Sequence, residues 1–230
     1  MAKTLPTQEM ALAFPAGRAG TPALFDLACV GCKGVVDFLG AVVALAMLWP
    51  LLIGIAIAIR LSDGGPAIFA QTRIGKNGRP FRCLKFRSMV LNADEALRHH
   101  LEHSAQARAE WAEHQKLARD PRITRLGAFL RKTSLDELPQ LINILVGQMS
   151  IVGPRPIVPD EIQRYGENFA HCFSVPPGLT GLWQVSGRSD MSYQGRVALD
   201  SRYASEWTLW LDAEIIVKTI PAVLMQRGSR

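Results

Sequence analysis

The densest group of chemically capable residues follows Arg131 and Lys132, where Asp136 and Glu137 are adjacent carboxylates. Ser134 and Glu137 have the spacing of a capping box, which predicts that a helix begins here. Asp136 would then lie in the first turn, where the free backbone N–H groups and the helix dipole favour an anion. An acidic first turn can serve only to stabilise a helix, or it can present a nucleophilic carboxylate to phosphorus. The spacing alone leaves both interpretations open.

Two further motifs offer side chains that could neutralise a phosphate. Arg155 lies between Pro154 and Pro156, so its backbone is stiff and its guanidinium can be held ready for two parallel hydrogen bonds. Arg188 ends a glycine-rich stretch that contains Trp183, and glycines let a backbone approach a diphosphate or a nucleobase closely. A solvated surface loop and a core tryptophan are the alternatives, and the residues alone leave them open.

Basic residues are concentrated in one stretch of the chain. Seven lysines and arginines and a single acid lie between Arg60 and Val90, although all 230 residues carry a net charge of only +6. Lys85 and Arg87 alternate with Phe86 and are predicted to face the same side of a strand. A basic block next to an apolar segment favours anionic headgroups or phosphorylated ligands. No nucleic-acid partner is expected, because no recognised nucleic-acid-binding motif is present.

The elements that must position these residues begin with an uncharged stretch from Phe38 to Ile59. A straight helix of this length would cross the hydrocarbon core of a bilayer, which is roughly 30 Å thick. Pro50 lies in its middle, where it removes a backbone hydrogen bond and clashes with the preceding turn. Basic residues flank both ends, and a span would send one flank out of the cytoplasm. We therefore predict a re-entrant helix broken at Pro50, with a straight span or a buried soluble helix as alternatives.

The remainder of the chain is predicted to be mostly helical. Residues 67–74 and 80–86 are expected to form a β-hairpin, because Asn77-Gly78 between them tolerates positive φ. Trp207 and Trp210 lie in an amphipathic stretch and suit either the headgroup zone or the core. Helices are predicted over residues 91–118, 124–131, 135–147 and 192–223.

These elements predict an α+β, helix-rich fold. A flexible N-terminal tail over residues 1–33 would precede the re-entrant membrane helix over 34–60. A cytoplasmic catalytic domain over 61–230 would carry the small hairpin and membrane-surface amphipathic helices.

Taken in order, the motifs resemble the bacterial sugar transferases, the monotopic polyprenyl-phosphate phosphoglycosyl transferases of polysaccharide synthesis. The chain is most similar to the succinoglycan-type galactose-phosphate transferases of exopolysaccharide synthesis. One departure is Trp49 before Pro50, where many relatives have serine. The matching motifs lie between Lys33 and Gly228 and include Gln71-Thr72-Arg73-Ile74-Gly75, Lys85-Phe86-Arg87-Ser88-Met89, Ser134 through Gln140, Met149 through Pro156, and Pro177 through Arg188.

The resemblance implies roles for individual residues. Asp136 would be the nucleophile, with Glu137 beside it as a second catalytic residue and with Mg²⁺ at Asp136. Pro50 would break the membrane helix. The residues that the resemblance and the charge pattern assign to phosphate and nucleotide binding are Arg131, Arg155, Arg188, Lys85 and Arg87.

The implied reaction transfers a sugar-1-phosphate from a UDP-sugar to undecaprenyl phosphate and releases UMP. Galactose-1-phosphate is the first expectation and glucose-1-phosphate the second, with a phosphosugar-aspartyl intermediate on Asp136. The implied location is the cytoplasmic face of the bacterial inner membrane, in contact with membrane lipids. Direct transfer without a covalent intermediate and a non-catalytic scaffold are the competing hypotheses. A homo-oligomer and contacts with other polysaccharide-assembly enzymes are left open.

Overall fold

The computed structural model describes residues 24–114, 117, 119–187 and 191–224, so most of the predicted tail lies outside the described residues. The expected helix-rich α+β class is confirmed within these ranges. The strands are β1 (Ile68–Ile74), β2 (Pro80–Phe86), β3 (Ser150–Val152) and β4 (Gly178–Thr180). The helices are α1 (Leu24–Asp63), α2 (Ala93–His103), α3 (Ala105–His114), α4 (Arg125–Lys132), α5 (Gln140–Leu145), α6 (Ile162–Tyr165), α7 (Asn168–Cys172), α8 (Leu182–Ser186), α9 (Tyr193–Glu206) and α10 (Leu209–Leu224).

Helix α1 continues through Pro50 as one helical element and begins at Leu24, before the predicted boundary at residue 34. Pro50 does not end the helix, so the predicted break into two helices is not seen. Residues Gly31–Asp63 contain an 18-residue stretch of mean hydropathy 2.7 and are long and apolar enough to cross a membrane. The path of α1 relative to a bilayer stays a prediction.

One face of α1 packs on the rest of the protein on both sides of the proline. Lys33, Asp37 and Ala41 are buried in its first half, and Ile55 and Ile59 in its second. Residues four apart lie on one face of a helix, so these side chains form a single buried stripe. Elsewhere along its length, α1 exposes an extended apolar surface, and such a surface marks a site of membrane or protein contact. The exposed apolar side chains of α1 are Val35, Val36, Phe38, Leu39, Val42, Val43, Met47, Trp49, Leu51, Ile53, Ile57 and Leu61.

The buried stripe makes α1 part of the hydrophobic core. Ala41 packs with Phe81 of β2 and Leu141 of α5. Ile55 and Ile59 pack in a second cluster that includes residues of β2 and α4. Because these are core contacts, α1 is an integral element of the fold and not an appended segment.

The predicted hairpin is confirmed, with β1 and β2 paired antiparallel over their full lengths. Its turn places Asn77 at φ 56° and Gly78 at φ 71°, the left-handed region that these residue types tolerate. Pro80 is the first residue of β2, a position where its missing N–H is tolerated. The hairpin brings Arg73 and Lys85 onto neighbouring strands.

Two of the predicted helices are each divided by a hydroxyl residue. The polar segment forms α2 and α3, because Ser104 separates them and its Oγ accepts a hydrogen bond from Ala107 N at 3.1 Å. The last predicted helix forms α9 and α10, with Thr208 Oγ1 accepting from Leu211 N at 3.0 Å. Side-chain caps of this kind satisfy a free N–H at a helix start.

The two tryptophans near this second division have different surroundings. Trp207 Nε1 donates to Oδ2 of the buried Asp212 at 3.1 Å, whereas Trp210 is 80% exposed. Trp207 therefore belongs to the core, and Trp210 remains available for the headgroup zone.

The helix predicted over 124–131 is confirmed as α4, and Thr124 Oγ1 accepts a hydrogen bond from Gly127 N at 2.9 Å. The helix predicted over 135–147 is wrong at its start. Residues 135–137 form a single 3₁₀ turn, and α5 begins only after Pro139. Proline suits the entry to a helix, because its fixed φ is helical and its missing N–H would have no partner there.

A short parallel pair of strands leads into the Pro154-Arg155-Pro156 motif. Gly153 N donates to Thr180 O at 2.9 Å, and Gly178 N donates to Pro154 O at 2.8 Å. Glycine is required at this close approach, because a Cβ on Gly178 would lie 2.0 Å from Gly153 N. Arg155 is therefore presented from backbone that is hydrogen-bonded immediately before it.

Candidate functional site

The acid pair, Asp136 and Glu137, lies on a tight turn whose geometry differs from the prediction. Ser134 has a φ of 57° and its side chain makes no cap hydrogen bond, so the predicted capping box is wrong. The Glu137 side chain accepts a hydrogen bond from Lys85 instead. A non-glycine residue in the left-handed region costs about 1–3 kcal/mol, and such residues cluster at functional sites.

Glu137 is held between two cations. Lys85 Nζ donates to Glu137 Oε1 at 2.7 Å, and Arg155 Nη1 lies 3.5 Å from the same oxygen. Burial on its own would raise the pKa of Glu137, but the charges of Lys85 and Arg155 outweigh it and lower this pKa to about 2. Glu137 is therefore a fixed negative charge that orients two cations.

The surroundings of Asp136 differ from those of Glu137. It is only 8% exposed, yet none of the residues that the structure describes makes a hydrogen bond or an ion pair with its carboxylate. Burial and the charge of Glu137 raise the pKa of Asp136, and the charges of Lys85, Arg131 and Arg155 partly offset this. Its oxygens are nevertheless not among the fully buried atoms that lack a hydrogen-bond partner, so they remain open to water or a ligand, and a mostly buried carboxylate with a raised pKa is a candidate functional group.

Arg131 approaches the acid pair from the last turn of α4. Its Nε donates to Ser88 Oγ at 2.8 Å, which fixes the plane of the guanidinium. Burial lowers the pKa of Arg131, and the nearby charge of Asp136 opposes that shift. The structure thus brings three of the predicted cations, Arg131, Lys85 and Arg155, into the electrostatic environment of the acid pair.

Arg87 lies elsewhere, although it was predicted to face the same side as Lys85. Its Nη1 donates to Asp63 Oδ2 at 2.6 Å, Nη2 donates to Asp63 Oδ1, and Nε donates to Pro66 O at 2.8 Å. Arg87 follows the last residue of β2, so strand alternation no longer governs its direction. Its guanidinium ties the end of α1 to the hairpin, and phosphate binding would require this ion pair to open.

A small cleft opens beside Glu137, and Arg73 is a lining residue that sequence reasoning did not assign to the site. Arg73 Nη1 donates to Pro156 O at 3.2 Å, and Nη2 donates to Gln71 Oε1 at 2.8 Å. Burial and the charge of Arg155 both lower the pKa of Arg73. The lining residues are Arg73, Cys83, Lys85, Glu137, Gln140, Arg155, Pro156, Gly178 and Leu179.

The charges of this lining are unbalanced. Arg73, Lys85 and Arg155 contribute three positive charges, and Glu137 contributes the single negative one. Guanidinium and ammonium groups form their strongest hydrogen bonds with carboxylate and phosphate oxygens. An excess of cations in a partly buried cleft therefore favours an anionic ligand.

Arg188 lies outside the described residues, so its nucleotide contact stays a prediction. Trp183, from the same motif, lies near two guanidiniums. Arg155 Cζ is 5.9 Å and Arg196 Cζ is 5.0 Å from the Trp183 ring. Arg196 is itself buried and lies 3.4 Å from Glu161 Oε1. Cation–π contacts of this kind contribute about 0.5–2 kcal/mol and help to fix Arg155 at the cleft.

Asp136 is also the residue that best fits a magnesium ion. Mg²⁺ is usually held by one or two carboxylates together with substrate phosphates and water. No group of three or more potential ligands (His, Cys, Asp or Glu) occurs among the described residues, so a site here would be of this shared kind. The oxygens of Asp136 are not engaged by any described residue, whereas Glu137 is engaged by Lys85 and Arg155.

Exposed apolar side chains flank the acid pair. Phe129 on α4 is 56% exposed, and Ile142 and Val146, on and directly after α5, are 45% and 62% exposed. Helix α5 also packs on α1 through Leu141 and Ala41. The elements on either side of the acid pair therefore expose apolar side chains, and one of them, α5, packs on α1.

Comparison with known proteins gives one family. The model for bacterial sugar transferases matches residues 29–226. The "UDP-galactose-lipid carrier transferase" of Erwinia amylovora is 51% identical over 197 residues, which are 86% of this chain and 41% of that protein. The "Exopolysaccharide production protein ExoY" of Rhizobium meliloti is 50% identical over 193 residues, 84% of this chain and 85% of that protein.

A third relative carries a more specific name. The "Undecaprenyl-phosphate galactose phosphotransferase" of Salmonella typhimurium is 49% identical over 197 residues, 86% of this chain and 41% of that protein. The chain thus matches about two fifths of the Erwinia and Salmonella relatives and most of the Rhizobium relative. The matched region contains the acid pair and all the described cleft residues.

Proposed function

The chain belongs to the bacterial sugar transferase family, and we propose that it transfers a sugar-1-phosphate from a UDP-sugar to undecaprenyl phosphate, releasing UMP. The observation that supports this proposal is that the two carboxylates of the acid pair have different contacts. Glu137 is held by two cations, whereas Asp136 is buried without a donor among the described residues. An unengaged carboxylate in a cationic setting is suited to attack phosphorus.

In the first half-reaction, Asp136 attacks the phosphorus that bears the sugar. A bond forms between its carboxylate oxygen and phosphorus, and the bond from phosphorus to the UMP oxygen breaks. Two anions approach each other in this step, so catalysis depends on neutralising their charge and positioning the groups. Arg131, Lys85 and Arg155 supply positive charge around Asp136, and Arg73 adds positive charge in the cleft beside Glu137.

In the second half-reaction, an oxygen of the lipid phosphate attacks the same phosphorus. The bond from phosphorus to Asp136 breaks, which regenerates the carboxylate and yields a lipid-diphosphate sugar. The same cations neutralise the incoming lipid phosphate. If Mg²⁺ is bound, Asp136 with substrate phosphate oxygens would hold it, and it would supply further charge neutralisation at the phosphates.

The acceptor is a lipid, and α1 is suited to bring it to the site. Both ends of α1 are tied to the catalytic domain, Lys33 by Asp212 and Asp63 by Arg87. A helix that crossed a bilayer would separate these two residues by the membrane thickness, so the contacts favour a helix that keeps both residues on the same side. A re-entrant path would require α1, which is one helical element through Pro50, to bend there. The exposed apolar face of α1 would lie in lipid, with the catalytic domain on the cytoplasmic face of the inner membrane.

The sugar that we propose is galactose, with glucose as the second candidate. Two of the three relatives above have galactose in their names. A more distant relative, from Xanthomonas campestris and 41% identical, is named as a glucose-1-phosphate transferase. The pathway that we propose is exopolysaccharide synthesis, at its first membrane step.

The test is a transfer assay with purified protein, undecaprenyl phosphate and a panel of UDP-sugars, with release of UMP as the readout. We expect UMP release with UDP-galactose, and none from the Asp136→Asn variant. No release by the wild-type protein with any UDP-sugar would favour a non-catalytic scaffold over this proposal. Normal turnover by Asp136→Asn would remove the nucleophile assignment.

A further inference from the structure

A buried polar cluster ties the start of α1 to helices α9 and α10. It consists of Lys33, Asp37, Tyr203 and Asp212, and we call it the helix-start cluster; each member is at most 8% exposed. Lys33 Nζ donates to Asp212 Oδ2 at 2.6 Å and lies 3.8 Å from Asp37 Oδ2. Removing one partner of a buried ion pair leaves an uncompensated charge, so these contacts hold the three helices in one arrangement.

Two members of the helix-start cluster also hold the backbone of β3. Ile151 N donates to Asp37 Oδ1 at 3.0 Å, and the Tyr203 hydroxyl lies 2.9 Å from Val152 O. The hydroxyl has one proton and lies 2.7 Å from Asp212 Oδ1 as well, so the two oxygens share it. Consecutive residues of β3 are therefore fixed by side chains from α1 and from α9.

Strand β3 leads directly into the backbone that carries Arg155. Two residues, a glycine and a proline, separate Val152 from Arg155, and both are hydrogen-bonded to the β4 segment. Proline on each side of Arg155 restricts backbone rotation, so a displacement of β3 would be passed to the guanidinium. Beyond Arg155, Arg73 Nη1 holds Pro156 O at 3.2 Å.

We propose that Asp37 and Tyr203 are positioning residues for Arg155, and through it for the diphosphate of the donor. The identity of the ligand rests on the proposed function, but the mechanical coupling does not. Lys33 and Asp212 keep the two positioning side chains in place. Because Asp37 belongs to α1, the position of this helix on the rest of the protein is coupled to phosphate binding by Arg155. A misplacement of about 1 Å in such a contact can cost about a hundredfold in rate.

Amide hydrogen exchange of the full chain in lipid nanodiscs tests the coupling without any substrate. The reporter is the Gly153 amide, which donates to Thr180 O and not to the cluster. Asp37→Ala is expected to speed exchange at Gly153 by about tenfold or more, because local opening becomes easier. Asp37→Asn is expected to restore most of the protection, since its amide oxygen can still accept the hydrogen bond from Ile151 N.

The matched control removes a different ion pair of the same helix. Asp63→Ala breaks the contact with Arg87 at the other end of α1. It perturbs the packing of α1 without touching β3, so we expect little change at Gly153. Tyr203→Phe is the second test variant, because it removes only the hydroxyl and keeps the ring in the core.

Binding of UDP by calorimetry supplies the functional readout. Asp37→Ala and Tyr203→Phe are each expected to raise the Kd of UDP by about 10- to 100-fold. In an Arg155→Ala background the same changes are expected to add less than about twofold, because the arginine that they position is gone. The effect of Asp63→Ala on the Kd is expected to be the same with and without Arg155.

The two proposals fail in different ways. Unchanged exchange at Gly153 in Asp37→Ala would overturn the positioning role, as would equal effects on Kd with and without Arg155. Wild-type protein that does not bind UDP, while exchange at Gly153 responds as expected, would count against the proposed function and support the coupling.

Discussion

Two clusters of charged groups, the helix-start cluster and the acid pair, differ in how completely their hydrogen bonds are satisfied. In the helix-start cluster, both carboxylates accept hydrogen bonds, Asp37 from Ile151 N and Asp212 from Lys33. In the acid pair, Glu137 is similarly held, but Asp136 has no donor among the described residues. Buried polar groups are normally satisfied. The first cluster therefore serves the fold, whereas the acid pair leaves one carboxylate open to a ligand, as the proposed function requires.

The largest expected effect comes from the unsatisfied carboxylate. Asp136→Asn is expected to lower transfer by at least about a thousandfold, as loss of a nucleophile does, because the amide cannot attack phosphorus. The thermal unfolding temperature of the same variant should be unchanged or raised, since burial and the charge of Glu137 disfavour the ionised carboxylate of Asp136. A clear loss of stability would show that Asp136 holds the fold and would break the comparison.

A substitution in the helix-start cluster should have the opposite effect and lower the stability of the fold. Asp212→Asn is expected to cost about 3 kcal/mol in the free energy of unfolding, because Lys33 loses its closest counter-charge in a buried setting. Glu214→Gln is the matched control on the same helix, where an exposed pair with Lys218 should contribute less than about 1 kcal/mol. Denaturant unfolding of both variants measures the difference, and equal costs would contradict the account.

The excess positive charge of the cleft predicts a smaller effect on donor binding. Arg73→Met is expected to raise the Kd of UDP by about 10- to 100-fold, the range for a lost hydrogen bond to a charged group. Arg79→Met removes an exposed arginine directly before β2 and should change the Kd by less than about twofold. Calorimetry distinguishes the two, and equal effects would indicate general electrostatic attraction instead of a built site.

The smallest effect concerns the pH dependence of transfer. The carboxylate of Asp136 must be ionised to attack, and its pKa is raised by burial and by the charge of Glu137. As the pH is lowered, kcat/KM is therefore expected to begin to fall at a pH above the usual pKa of aspartate. Glu137→Gln removes a negative neighbour, so this fall in its residual activity should move to lower pH. A shift to higher pH would contradict this electrostatic assignment.

Local signals in the sequence predicted part of the fold correctly. The hairpin followed from Asn77-Gly78, whose positive φ needs no distant contact. Helix α4 likewise begins at its own cap, Thr124. The divisions at Ser104 and Thr208 were missed, although both are hydroxyl residues that cap the following helix. At both positions the capping hydroxyl is the local signal that ends one helix and begins the next, although the helical pattern continues on either side.

The cleft depends on contacts between distant parts of the chain, which local spacing does not reveal. Ser134 and Glu137 fit a capping box, but the attraction of Lys85 and Arg155 for Glu137 directs that side chain elsewhere. Arg73 enters the cleft because Pro156 O, far along the chain, accepts its hydrogen bond. The family resemblance singled out Asp136, whereas its lack of donors became visible only in the folded protein.

We propose that Asp136 forms a covalent intermediate with the phosphosugar. It is tested most directly by exchange of labelled UMP into UDP-galactose, with purified protein and no lipid acceptor. Labelled UDP-galactose is expected with the wild-type protein and none with Asp136→Asn, because the first half-reaction is reversible on its own. Wild-type protein that transfers galactose-1-phosphate to undecaprenyl phosphate, but catalyses no such exchange, would contradict it.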